Sequence, residues 1–322
     1  MPLFNAEIYL AEALQSILSQ SFAHFTLLIS DNASTDATES ICRAFAQTDS
    51  RISYFRQSTN KGACHNFQIT LNAAETPFFM WAAGDDLWDA DYLATCISCF
   101  EADADLALVA TLTSPFTDEV FREPCRSLLL LPSTTAWKTR YNFLRQPEGM
   151  GKANLIYGVF RTDLLKAVAG KAPLTESWGA DMHLVYNYLC VGRLCVVDRP
   201  MFFKRQPAVT VARACWTGEG LRPGDHERIA CKELRSTWRR YSSYYLTYVL
   251  TDAQDVHAPF HERLRLMACA VILLCRKIWA PFYRLAEMIV RHRSDRINKF
   301  AASLRPRRLR HRRSSSRSTH VP

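Results

Sequence analysis

The chain has 322 residues, 48% of them hydrophobic, and a formal charge of +9. That length holds one large domain, or one with an appendage, and the composition excludes a wholly disordered chain. The charge is uneven: residues 291–322 carry eleven Lys or Arg against one acid, which leaves residues 1–290 at −1. Eleven cysteines, an odd number without disulfide-like spacing, point to a reducing compartment. The lone C-x-x-C, Cys96 to Cys99, lies in a helical pattern and reads as core-facing residues, not a redox or zinc site. No basic segment leads into an apolar run at the start, so no secretion signal is expected.

In chain order, Leu10, Leu14, Ile17 and Leu18 recur at helical spacing, with Asn5 as the expected N-cap. Phe25 to Ile29 reads as a buried strand ending in Ser30-Asp31-Asn32. A second helix follows through Ile41, Ala44 and Phe45, with Asp36 and Glu39 spaced as a capping box. Ile52, Tyr54 and Arg56 suggest a short strand, Asn60-Lys61-Gly62 a turn, and Phe67, Ile69 and Leu71 a third helix. Pro77 to Ala82 is an apolar run that stops at Gly84-Asp85-Asp86, a buried strand delivering two acids to its carboxyl edge. Asp85 then either caps the next helix or waits for a hard cation that bridges to phosphate.

Prolines 115, 124, 132 and 147 mark residues 111–150 as a looser, substrate-facing excursion. Strands are expected at 155–160, 194–197 and 201–203, with a helix over 178–190. The alternation of helix and strand predicts an α/β fold with a mostly parallel sheet. After residue 206 the pattern turns helical and rich in Tyr and Trp, including Trp238. Leu266 to Cys275 is apolar but only ten residues long, too short to span a bilayer, which takes about 20. It is a buried core helix or half of an interfacial pair that Pro281 interrupts. The Arg- and Ser-rich end is expected to be disordered.

Four elements occur in order: Pro2-Leu3-Phe4-Asn5; Ser30-Asp31-Asn32 running to Asp36; Arg56 with Asn60 and Gly62; and Gly84-Asp85-Asp86. Together they resemble family 2 glycosyltransferases, an inverting group with the GT-A fold, over residues 1–205. The resemblance implies a GT-A domain at 1–205, a helical extension at 206–290 and a disordered basic tail at 291–322. It implies that Asp31 pairs with the imide of a uracil or thymine base, though a turn-forming Asp fits as well. Arg56, Asn60 and Gly62 would pack on the nucleotide; Asn66 would do so too, or face solvent. Asp85, matching the last acid of the family's D-x-D element, would hold Mg²⁺ or Mn²⁺ on the donor's diphosphate, with support from Asp86.

Asp181 stands where the family places its general base, with helix capping as the alternative. Trp178 and Tyr157-Gly158 would shape the acceptor pocket, and Arg205 would steady the leaving diphosphate or simply lie on the surface. The sequence departs from the family at two points. Ala83 replaces the first acid of the D-x-D element, and Met1 stands where an apolar first strand belongs, which implies an upstream start or an impaired product. The implied partners are a nucleotide-sugar donor, a glycan or lipid-linked acceptor, and an anionic membrane surface met by the C-terminal helices and tail. The implied setting is cytoplasmic or peripheral at the inner membrane face, in surface polysaccharide synthesis. A nucleotidyltransferase lacks its Gly-rich phosphate loop here; a catalytically impaired scaffold is the other rival, and nucleic-acid binding by the tail finds no supporting motif.

Overall fold

The computed structural model describes residues 1–117, 120–147, 151–177, 179–206, 241–255 and 258–277. The chain opens with β1 (Pro2–Leu3), α1 (Leu10–Leu18), β2 (Leu27–Asp31), α2 (Thr38–Thr48), β3 (Ile52–Arg56) and α3 (Ala63–Asn72). The three strands form a parallel sheet in the order β1-β2-β3. The place of the expected first strand beside β2 is taken by β1, which pairs Pro2 with Ser30 and Leu3 with Asp31. Leu10, Leu14 and Ile17 bury one face of α1, as their spacing predicts.

The helix starts differ from expectation. Tyr9, not Asn5, precedes α1; Asn5 adopts φ 49° and accepts the Thr35 N–H through Oδ1 at 2.8 Å. Asp36 accepts the N–H groups of Glu7 and Thr38, while Glu39 turns to Arg43 and Arg56, so no capping box forms. In both cases the polar side chain ties two loops at the carboxyl end of the sheet together, a longer-range use than local capping.

The second sheet is built from β4 (Phe78–Phe79), β5 (Leu87–Trp88), β6 (Leu106–Phe116), β7 (Val159–Arg161) and β8 (Arg193–Arg205), in the order β4-β7-β6-β8-β5. Only β6 and β8 run parallel; the other three pairings are antiparallel, so this half is a mixed sheet. Around it lie α4 (Tyr92–Ala102), α5 (Ala136–Arg145), α6 (Thr162–Lys171) and α7 (Ala180–Tyr188). The prolines of the expected excursion hide two regular elements. β6 is buried almost throughout and runs through Pro115, and α5 follows a 3₁₀ turn at Arg126–Leu130. The two strands expected at 194–197 and 201–203 are one, β8, whose register against β6 shifts near Pro200.

One core gathers Leu10, Ile29, Trp88, Phe100 and Phe202; a larger one gathers Trp81, Phe143, Phe160, Tyr186 and Tyr188. Cys96 is fully buried in the first, and Cys99 packs against it. Helical residues 241–254 and 260–277 add Tyr244, Tyr245, Tyr248, Leu266 and Ala270 to the larger core. Accordingly Met1–Cys275 form one compact unit, which includes the described extension as far as Cys275. Arg140, on α5, ties this extension down through buried ion pairs to Asp252 at 3.0 Å and Asp255 at 2.9 Å. Leu266 and Ala270 are buried, whereas Phe260, Leu264, Val271 and Ile272 on the same helical stretch stay exposed. No helix among the described residues is long and apolar enough to cross a membrane. Trp238 and residues 291–322 lie outside the described residues.

Candidate active site

Functional side chains collect at the carboxyl ends of the parallel strands. At the end of β2, Asp31 is fully buried; its Oδ1 accepts the Ser34 N–H at 2.8 Å and its Oδ2 accepts the Tyr54 hydroxyl at 2.9 Å. Arg56, at the end of β3, lies 3.5 Å from that Oδ2 and 3.1 Å from Glu39, and donates to the Ser34 carbonyl. Both residues therefore fix the turn after β2. Asn66 is buried rather than solvated, donating to the carbonyls of Leu3 and Ser30 and so bracing β1 against β2.

In front of this turn lies a cleft of about 200 Å³, walled by Pro2, Leu3 and Phe4 on one side and by Asn32, Asn60, Gly62, Ala63 and Phe67 on the other. Asn32 knits the second wall, donating to Asn60 Oδ1 at 2.8 Å and to the Gly62 carbonyl at 3.1 Å. Gly62 has φ 89°, and a Cβ there would meet Glu176 Oε1 at 2.8 Å. Of the residues assigned to the nucleotide, Asn60, Gly62 and Asn66 line the cleft, while Asp31 and Arg56 do not. The volume is below the roughly 300–1,000 Å³ of whole-ligand pockets, so it suits one portion of a ligand.

The two adjacent acids face opposite ways. Asp85 sits in the loop between β4 and β5, exposed, and its carboxylate makes no hydrogen bond or ion pair with any described residue. It caps nothing, since α4 begins only at Tyr92. Asp86 is fully buried, contrary to a ligand-facing role: its Oδ2 accepts Lys204 Nζ at 2.8 Å and its Oδ1 accepts the Arg205 N–H at 2.9 Å. Burial pushes its carboxyl up, while Lys204 and the Arg205 N–H pull it back.

Arg205 departs from its expected role as well. It is neither on the surface nor aimed outward: its Nε donates to the Asp85 carbonyl, its Nη2 pairs with Glu12 of α1, and its guanidinium lies over the rings of Tyr9 and Phe116. A cation stacked between two rings is held by its faces as well as its edges. Its effect is to fix the loop that presents Asp85.

Asp181 occupies the first turn of α7, and its Oδ1 accepts the Met182 N–H at 2.8 Å. Burial raises its carboxyl above the ordinary value, against the pull of that N–H and of Lys204. Gly179, at φ 82° before the helix, presses on Tyr244: a Cβ would come within 2.7 Å of the ring. Tyr157 interacts electrostatically with Lys204, Asp86, Asp85 and Asp181, which gathers these groups into one site. At Gly158 a Cβ would strike Leu108 and the Val109 carbonyl, so the glycine serves close packing of the core. Trp178 lies outside the described residues.

Lys204 and Glu176 are the members that sequence reasoning missed. Glu176 Oε1 accepts the Cys64 N–H at 3.4 Å, at the amino end of α3. Among the described residues no cluster of three His, Cys, Asp or Glu side chains could enclose a metal ion. The site thus offers a hard cation one outward carboxylate, Asp85. That fits an ion such as Mg²⁺, which commonly takes one or two carboxylates and fills its shell with water and substrate phosphates.

The glycosyl transferase family 2 model matches residues 1–162. The chain is 31% identical over 109 residues to glycosyltransferase GlyA of Streptococcus pneumoniae serotype 4, covering 34% of this chain and 16% of that protein. It is 34% identical over 98 residues to WfgD of Escherichia coli, a UDP-Glc:alpha-D-GlcNAc-diphosphoundecaprenol beta-1,3-glucosyltransferase, covering 30% and 38%. The match therefore spans well under half the length of either relative. Among solved structures, S. aureus TarS 1-349 with UDP-GlcNAc superposes with a TM-score of 0.62 at 14% identity, over 87% of this chain and 71% of that one. Mannosyltransferase PcManGT from Pyrobaculum calidifontis with GDP-Man and Mn²⁺ gives 0.53 at 16% identity, over 94% and 79%. The four motifs in order, the strand-end site they build and the family match lead to one assignment: the chain belongs to glycosyl transferase family 2 and has the GT-A fold.

Proposed function

We propose that the protein transfers a sugar, with inversion, from a nucleotide-diphosphate sugar to a hydroxyl acceptor, in the building of a surface glycan or polysaccharide. The observation that carries this reading is the pair of unlike carboxylates: Asp85 is exposed and its carboxylate has no partner among the described residues, and Asp181 is half-buried with raised proton affinity. An inverting transfer is one displacement. The acceptor oxygen bonds to the anomeric carbon, the bond to the diphosphate oxygen breaks with its electron pair, and the acceptor proton passes to a base. Asp181 suits the base, because a carboxyl with raised proton affinity takes a proton more readily than an ordinary one. The cleft at Phe4, Asn60 and Gly62 receives the base and ribose, with Asp31 and Arg56 fixing its back wall. A divalent ion, when bound at Asp85, supplies positive charge to the diphosphate.

The test is hydrolysis of UDP-, GDP- and dTDP-sugars by the wild type and by Asp85→Asn. One donor class should turn over, and the variant should lose at least about tenfold, the scale of one charged contact. Unchanged hydrolysis by the variant removes Asp85 from the mechanism.

The exposed face of Phe260, Leu264, Val271 and Ile272, flanked by Arg265, Arg276 and Lys277, supports docking on an anionic leaflet, where each basic residue contributes about 1 kcal/mol. The full chain should co-sediment with anionic vesicles and not with neutral ones, and should bind less without residues 291–322. Equal sedimentation with both vesicle types contradicts docking.

A further inference from the structure

Two basic residues end β8, and their side chains part company. Arg205 is spent on Glu12, the Asp85 carbonyl and two aromatic rings. Lys204 turns to the other side of the strand, as alternation along a strand requires. Its ammonium is 2.8 Å from Asp86 Oδ2 and 5.0 Å from the centre of the Tyr157 ring, and its side chain remains 25% exposed. Asp86 is itself held twice, by this ammonium and by the Arg205 N–H, so Lys204 is anchored on a fixed carboxylate. Burial pulls Lys204 down, but Tyr157, Asp86 and Asp85 outweigh it and keep it charged. Asp181 feels the same charge as well. Thus a partly exposed cation lies within electrostatic reach of both the exposed acid and the candidate base. The sequence has an alanine, Ala83, where the family pattern carries a further acid.

We propose that Lys204 binds the donor's diphosphate, donating a hydrogen bond to a phosphate oxygen while Asp86 holds its stem in place. The inference rests on the transfer reading above and adds the group that receives the leaving charge. As the anomeric C–O bond breaks, its electron pair stays on the diphosphate oxygen, and the ammonium N–H faces that added negative charge. No proton need leave Lys204. Asp86 is then a positioning residue, and its burial explains why it is unavailable to an ion.

The experiment is calorimetric binding by the full chain of UDP, GDP and dTDP and of their nucleosides, in EDTA and then in Mn²⁺, with wild type, Lys204→Met and Lys204→Arg. For whichever diphosphate binds the wild type, Lys204→Met should weaken it about tenfold or more in EDTA, the scale of one charge-assisted hydrogen bond. The nucleoside should bind within twofold of wild type, and Lys204→Arg should recover most of the loss. Equal affinity of Lys204→Met and wild type for the diphosphate overturns the role of Lys204 and leaves the transfer reading standing. An equal loss for nucleoside and diphosphate also overturns it, since the side chain would then only support the fold. If no diphosphate binds even the wild type, the transfer reading falls and Lys204's role with it.

Discussion

At the scale of residues, four neighbouring acids show how environment divides labour among identical groups. Asp85 is exposed, with no hydrogen bond or ion pair to its carboxylate among the described residues; Asp86 has a lysine and a backbone N–H; Asp31 has a tyrosine, a turn N–H and the nearby Arg56; Asp181 accepts the Met182 N–H and is partly buried. Only Asp181 combines partial burial with a nearly unspent carboxylate, so its proton affinity rises and its basicity is useful. The sign for pH follows directly. A base must be ionised, so transfer should fall as the pH drops through the raised value of Asp181. Sequence spacing located all four acids. It did not separate them, because Tyr54 and Lys204 come from other elements, and Asp86 meets Lys204 across 118 residues of chain.

At the scale of elements, the helical stretch 241–254 matters to the site although none of its residues lies in it. Tyr244 packs against Gly179 and donates to Met182 Sδ, so it sets the start of α7 and hence the position of Asp181. The stretch is held by the Arg140–Asp252 pair, which is wholly buried; leaving either charge alone there costs about 3–5 kcal/mol. Gly179→Ala should therefore act twice, through strain at φ 82° and through displacement of the Tyr244 ring. We expect turnover to drop about tenfold or more while donor affinity stays within a few-fold, measured by single-turnover rates and by calorimetry. Equal turnover in the variant would detach the extension from the chemistry. Periodicity announced a Tyr-rich helical region after residue 206. It gave no sign that this region completes the core, because the contact depends on a glycine whose meaning lies in the missing Cβ.

At the scale of the whole molecule, the legible part was the order of motifs along the first half. The first three lie at the ends of β1, β2 and β3, where local pattern and strand-end geometry agree, while Gly84-Asp85-Asp86 lies in the loop between a two-residue β4 and β5. What stayed hidden was the second sheet. β6 carries no alternation to mark it because both faces are buried, and β8 hides behind Pro200. The prolines of 115–147 suggested a loose region, yet Pro115 sits in register opposite Lys204. The basic C-terminal stretch could be read for charge alone.

The fold thus brings residues far apart in the GT-A domain into one site, in which we propose that Asp85 holds a cation and Asp181 acts as the base. The most direct measurement is the single-turnover transfer rate of Asp181→Asn against wild type across pH, with donor affinity measured alongside. Loss of the base should cost about 10²–10⁴-fold in rate, abolish the acid limb of the profile and leave donor binding within a few-fold. A variant that transfers sugar at the wild-type rate, with the same acid limb, would contradict the account.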